Sequence, residues 1–274
     1  MWEALQYEFM RNALIAGGLA SVACGIVGAY VVVKRIVFIS GGISHSAFGG
    51  IGLGYLLGID PILGALFFTL ASALGIGVIS KRTKQREDTA IGILWAVSMA
   101  LGVIFTGLSR GYPPDPSSVL FGGILTVPRS EIAVMLILDV LIVSIVLLLY
   151  KELLAVCFDE EFATVVGIPT ERLYFALLSL IALTVVMLIR VAGIILTIAL
   201  LTIPAAISGE LTHDLRKMMM LSILLGFSFI VSGLWLSYVL NFASGATIVL
   251  VCGSAFLFSS ASKTMANRRL HAKT

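Results

Sequence analysis

The stretch ISGGISHSAFGGIGLGYLLG, residues 39–58, decides how the chain is read. It is apolar enough for a membrane helix, yet it carries His45 near its centre and small residues throughout. Gly42, Ser46, Gly50, Gly54 and Gly58 recur at every fourth position. That spacing keeps them on one slowly drifting helix face, where a neighbouring backbone can approach closely. If the span begins near Ile36, a rise of ~1.5 Å per residue sets His45 about 14 Å deep. The hydrocarbon core is roughly 30 Å thick, so His45 is close to its midplane. An ionisable group at that depth is costly and by default marks a substrate pathway, here flanked by Ser44 and Ser46. The plainer alternative is an imidazole hydrogen-bonded to a neighbouring helix.

Composition points the same way. The 274 residues are 59% hydrophobic and 12% charged, with a mean hydropathy of +1.09. Soluble domains carry about 25% charged residues, so this is an integral membrane protein. Long apolar segments with helical residue usage exclude an outer-membrane barrel and predict an all-α, polytopic bundle in a single domain, 1–274. The basic clusters flank apolar segments, which gives no reason to expect nucleic acid among the partners. Cys24, Cys157 and Cys252 have no metal-ligand spacing and read as packing residues. The run from Leu19 to Cys24 continues into apolar residues as far as Val33, so it reads as part of a retained first span rather than a cleaved leader.

Nine apolar segments are expected, near 12–33, 37–58, 62–80, 90–108, 131–150, 173–189, 192–208, 218–240 and 246–262. Arg190-Val191-Ala192-Gly193 reads either as a tight turn between two short spans or as a break in a re-entrant element, so the count is eight or nine. Only Arg11, Arg110, Arg129 and Arg190 of the 18 Lys and Arg fall on one side of this threading. The richer side is assigned to the cytoplasm, which places the C-terminus inside a multi-pass protein of the cell membrane. Pro113, Pro114, Pro116 and Pro128 make the 110–130 connection an irregular cap. Pro204 is expected to kink or break its span, with freed carbonyls available to line a cavity.

The connection at about 151–172 is different. Asp159 can N-cap a short helix, Gly167 can close it and Pro169 prevents its continuation. Phe158, Phe162, Val165 and Val166 give that helix one apolar face, and Glu160 and Glu161 sit near its positive end. Such a helix suits a soluble partner's groove, or else the lipid headgroups.

Five stretches taken together carry a resemblance: Gly42–Ser46, Glu87–Gly92, Phe158–Ala163, Ala199–Ala206 and Ser237–Val249. In this order the chain resembles the membrane permeases of ATP-binding-cassette importers for zinc, manganese and iron ions. The resemblance implies a permease homodimer, two ATPase subunits, and a metal-binding receptor that delivers the ion from outside. It also implies that Phe158–Gly167, with Phe158, Asp159, Glu160, Glu161, Phe162 and Gly167, is the helix coupling the permease to its ATPase. There is no G-x-x-x-x-G-K-[ST] phosphate loop in the sequence, so ATP is expected to bind a partner subunit. No resident cofactor is expected, the metal ion being cargo.

The family usually has an aspartate one helical turn before the histidine, where this chain has Gly41. Loss of that carboxylate makes the site less negative and less hard. Asp139, the other ionisable residue near mid-bilayer, is the candidate to replace it, so His45 and Asp139 are the expected metal contacts. Ser44, Ser46 and Pro204 are expected along the path. Two rival readings are a stand-alone ion-coupled carrier and an intramembrane hydrolase using Ser44-His45-Ser46. Adjacent helical residues point ~100° apart, which argues against the second.

Overall fold

The structure, a computed structural model, describes residues 6–82, 87–109 and 116–271. Part of the basic cluster after Lys81, and the 110–115 segment of the proline-rich cap, lie outside the described residues. The helices are α1 (Glu8–Val33), α2 (Val37–Leu57), α3 (Pro61–Arg82), α4 (Glu87–Leu108), α5 (Pro116–Phe121) and α6 (Arg129–Leu148). They continue with α7 (Tyr150–Phe158), α8 (Glu160–Val165), α9 (Thr170–Leu211), α10 (Leu215–Leu240) and α11 (Ser244–His271). A 3-10 turn occupies Ile124–Thr126. No strand occurs among the described residues, and the expected all-α polytopic bundle is what forms. Among the described residues, eight stretches are long and apolar enough to cross a membrane. Helix α2 is as long, at 21 residues, but its glycines, serines and histidine make it less apolar than those eight.

Helix α2 remains inside the bundle because its small residues are occupied on two sides. A Cβ on Gly50 would run into the backbone of Gly64 in α3. A Cβ on Gly52 would lie 2.6 Å from the Gly102 carbonyl oxygen of α4. The four-residue glycine spacing therefore serves contacts within one chain, and the long helices α2, α3 and α4 form one close-packed set.

Helix α9 is two spans. Near its start, Tyr174 has Lys81 over its ring, with Nζ 5.1 Å from the centroid. Near its end, Glu210 accepts a hydrogen bond from Ser259 Oγ at 3.0 Å. Between them Gly193 (φ 69°, ψ 174°) breaks the helical path and packs against Gly122, which also has a positive φ of 65°. Both ends of α9 thus lie on one face of the bundle and Gly193 lies on the other. A side chain at Gly193 would be strained by its φ and would strike the Phe121–Gly122 backbone. The break expected within Arg190–Gly193 is thus at Gly193, while the helix runs unbroken through Pro204. The proline-rich cap likewise contains a helix: Pro116 occupies its first position, where a missing N–H costs nothing.

The two faces differ in charge. On the basic face Lys34 Nζ bonds Glu160 Oε2 at 2.6 Å and the Val156 carbonyl at 2.9 Å. Lys81 Nζ pairs with the other oxygen of Glu160. One carboxylate therefore ties the ends of α1 and α3 to α8. On the opposite face Arg129 Nε bonds Glu8 at 2.8 Å, and Asn12 Nδ2 donates to the Val127 carbonyl at 3.2 Å. Burial alone would raise the Glu160 pKa, but the two lysines outweigh it and hold the carboxyl below its usual range.

Two expectations follow. Gly50→Leu should force α2 and α3 apart and cost about 2–4 kcal/mol, read as a lower melting temperature in detergent. Gly75→Leu, where a Cβ has open space, should leave the melting temperature nearly unchanged. Glu160→Gln should cost roughly 1–2 kcal/mol near neutral pH. Because the folded pKa of Glu160 is depressed, its contribution is present above the ordinary carboxylate range and lost as pH falls below that range. The gap in melting temperature between parent and Glu160→Gln should therefore hold from neutral pH to about 5 and close in stronger acid.

Candidate functional site

His45 sits mid-way along α2 and faces α4. Its ring is stacked on Trp95, with centroids 4.0 Å apart and planes 18° from parallel. Nδ1 is buried and has no hydrogen-bond partner, while Nε2 is unbonded and not enclosed. The imidazole is held by packing alone, which leaves both nitrogens uncommitted. Gly41, one turn earlier, lies under the same indole: a Cβ there would meet Trp95 at 3.9 Å, an ordinary contact. Trp95 is thus the principal neighbour of His45. In the sequence it looks like any aromatic in an apolar span, and nothing in its spacing distinguishes it.

The serines do not serve His45. Ser46 Oγ donates to the Ile43 carbonyl at 2.7 Å, and Ser44 Oγ is buried without a partner. No nucleophile–base pair exists here, so the arrangement offers no acyl-transfer chemistry.

Asp139 is only 4% exposed on α6, and neither carboxylate oxygen has a hydrogen-bond partner. Helix α6 packs on α1 and α9, whereas α2 packs chiefly on α3, α4 and α9. His45 and Asp139 therefore occupy different neighbourhoods of the subunit. Among the described residues no three His, Cys, Asp or Glu side chains converge as a metal cluster. Pro204 is buried near Gly226 of α10, and Ser208 Oγ donates to its carbonyl at 2.7 Å.

The basic face carries the second candidate surface. Asp159 caps α8 by accepting from the Phe162 N–H at 2.8 Å, and Gly167 closes the segment with φ 90°. Ala163 is the buried residue of α8, packed against the bundle. Phe158, Phe162, Val165 and Val166 all point outward, Phe162 being 63% exposed, and Glu161 is exposed beside them. The connection at about 151–172 also holds helix α7 before this segment: the chain turns at Leu149 (φ −101°, ψ 17°) and resumes as helix. Four exposed apolar side chains on and flanking this capped, charge-anchored helix form a ridge suited to insertion into another protein's groove.

Comparison with known proteins bears on both surfaces. The description "ABC 3 transport family" matches residues 6–263. An uncharacterised membrane protein of Synechocystis is 50% identical over 259 residues, covering 94% of this chain and 92% of that protein. The manganese transport system membrane protein MntC of Listeria innocua is 34% identical over 255 residues, covering 93% and 91%. The solved structure of PsaBC from Streptococcus pneumoniae in complex with Fab superposes with a TM-score of 0.85 at 32% identity, covering 94% and 93%. By sequence along almost its whole length and by the path of its backbone, this chain belongs to the ABC 3 transport family, as a membrane permease and not an enzyme.

Proposed function

We propose that the chain is the membrane-spanning permease subunit of an ATP-binding-cassette importer for divalent transition-metal ions, and that two copies enclose the path. The observation that carries this reading is the imidazole of His45, deep in a span, stacked on Trp95 and free of hydrogen bonds. A neutral imidazole is a ligand for zinc, manganese, iron and other first-row ions. With Gly41 in place of a carboxylate, one subunit supplies one nitrogen there, and a second copy would supply its equivalent. The metal is cargo, and the reading needs no resident cofactor.

Asp139 enters as a separate contact along the route, since a passing cation is the partner its buried carboxylate lacks. Ser44, with its unpartnered hydroxyl, and Ser46 flank the imidazole, and Pro204 lies on the neighbouring span. The basic face is the cytoplasmic one by the excess of Lys and Arg, which puts the end of α11 inside the cell and the start of α1 outside. An ATPase subunit docks on the ridge of α8, and an extracytoplasmic metal-binding receptor delivers the ion to the opposite face. ATP-driven closure below then alternates access to the path. The Listeria relative supports manganese within this class of ions, while the softer site at Gly41 and His45 favours zinc.

His45→Leu keeps the volume and removes the nitrogens. Metal uptake by cells relying on this permease should fall at least tenfold, with the protein still present in the membrane; full uptake of zinc, manganese and iron would sink the reading. Asp139→Asn should lower uptake in the parent and have less effect beside Gly41→Asp, and equal uptake by Asp139→Asn and the parent would remove Asp139 from the path. On the basic face, Phe162→Ala or Glu161→Arg should abolish transport-linked ATPase stimulation while the permease stays folded, as judged by its melting temperature. Unchanged stimulation in both would move the ATPase contact elsewhere.

A further inference from the structure

A groove of about 790 Å³ opens on the basic face, between α1, α6, the start of α7 and α10. Its walls are apolar, with Ile26, Val146, Met219 and Ile223 lining it. Leu147 and Met220 on its flank are exposed, so the groove is open sideways to the surrounding lipid. Its mouth is cationic. Lys151 lines it, and the guanidinium carbon of Arg216 lies 4.7 Å from the Tyr150 ring centroid. That cation–π contact holds Arg216 at the rim.

These two cations, like Arg35, Arg172 and Lys217 on the same face, have no carboxylate partner among the described residues. Lys34 and Lys81 are both taken up by Glu160, whereas Arg216 and Lys151 form no ion pair among the described residues. Glu152 is the one carboxylate on the groove, so its lining carries a net charge of one positive unit. From Arg216 to Ile223 the groove follows α10 for seven residues, ~10 Å into the apolar layer. A cationic rim over an apolar slot of that depth is complementary to an anionic headgroup with an acyl chain attached.

We propose that this groove binds an anionic phospholipid of the adjoining leaflet, with its phosphate on Arg216 and Lys151 and an acyl chain along Val146 and Met219. The apolar walls call for a hydrocarbon chain, and the unpaired cations call for a net negative headgroup. Soluble phosphate would satisfy only the rim, and a zwitterionic lipid would leave the excess charge uncompensated. The bound lipid becomes part of the packing between α6 and α10, directly beside α7 and the segment that leads to α8.

The full chain, purified in nanodiscs of phosphatidylcholine containing a minority of phosphatidylglycerol, tests this by counting retained lipids with native mass spectrometry. The parent should retain phosphatidylglycerol in preference to phosphatidylcholine. Arg216→Gln and Lys151→Gln should each lower that retention about fivefold, from the usual attraction of a basic side chain to an anionic leaflet. Met220→Trp, which fills the flank and keeps both cations, should lower it as well. Melting temperatures confirm that the variants are folded, the three side chains being exposed. Equal retention in parent and variants, or no preference between the two lipids, would overturn the proposal. So would displacement of the lipid by inorganic phosphate alone, or variants that change the monomer–dimer ratio but not the lipid count. The last outcome would mean that a second copy covers the groove.

Discussion

Close backbone approach around α2 is the constraint on which the rest depends. This helix, rich in glycine and serine, is not among the eight most evidently membrane-crossing stretches of the described residues, and it carries the one imidazole described within the spans. It is kept there by two neighbours that press against it at Gly50–Gly64 and Gly52–Gly102. In a bilayer, where hydrocarbon tails compete for every apolar surface, such intimacy of small residues supplies association that hydrophobicity cannot. The same enclosure orients His45, because with α3 occupying one side and α4 the other, the ring has only the face of Trp95 to lie against.

The basic face shows a second economy of parts. Glu160 meets two lysines from different helices, so α8 is pinned to the ends of both α1 and α3 rather than hanging from its own loop. The pin lies on one side of α8 and the exposed phenylalanines on another. The ridge is thereby joined through Glu160 to the end of α3, which packs closely on α2. The cap of α8, its anchor and its exposed ridge come from successive residues of one short segment, Phe158 to Gly167.

Much of this was legible in the sequence, for reasons that can be named. The nine apolar segments correspond to α1–α4, α6, the two halves of α9, α10 and α11, and all but α2 are long and apolar enough to cross a membrane, because lipid imposes length and apolarity on a crossing. The cap of α8 was legible because Asp159 and Gly167 act locally, within a turn of themselves. What sequence misjudged depends on partners distant in the chain. Proline at 204 reads as a kink or break, yet the helix runs through it; the interruption expected at Arg190–Gly193 does form, at Gly193, where Gly122 of the cap lies against it. Pro116, one of four prolines that read as irregular cap, opens a helix. Trp95 was invisible as a site residue, since its significance comes only from the ring it touches. His45 and Asp139 share a depth in the sequence, but depth does not fix azimuth, and the fold sets them in separate neighbourhoods.

The stacked pair of rings has a kinetic consequence. An imidazole clamped by an indole rather than by hydrogen bonds can offer a cation a lone pair without first breaking an existing bond. It also offers little else from its own helix: Gly41 contributes no side-chain oxygen, the serine at 46 is turned back onto its own helix, and only the Ser44 hydroxyl is left without a partner. On the proposed path, an ion held by so sparse a donor set would dwell only briefly. Brief dwell is what a conduit requires and what a storage protein avoids, since conduction needs each stop to be shallow enough to leave.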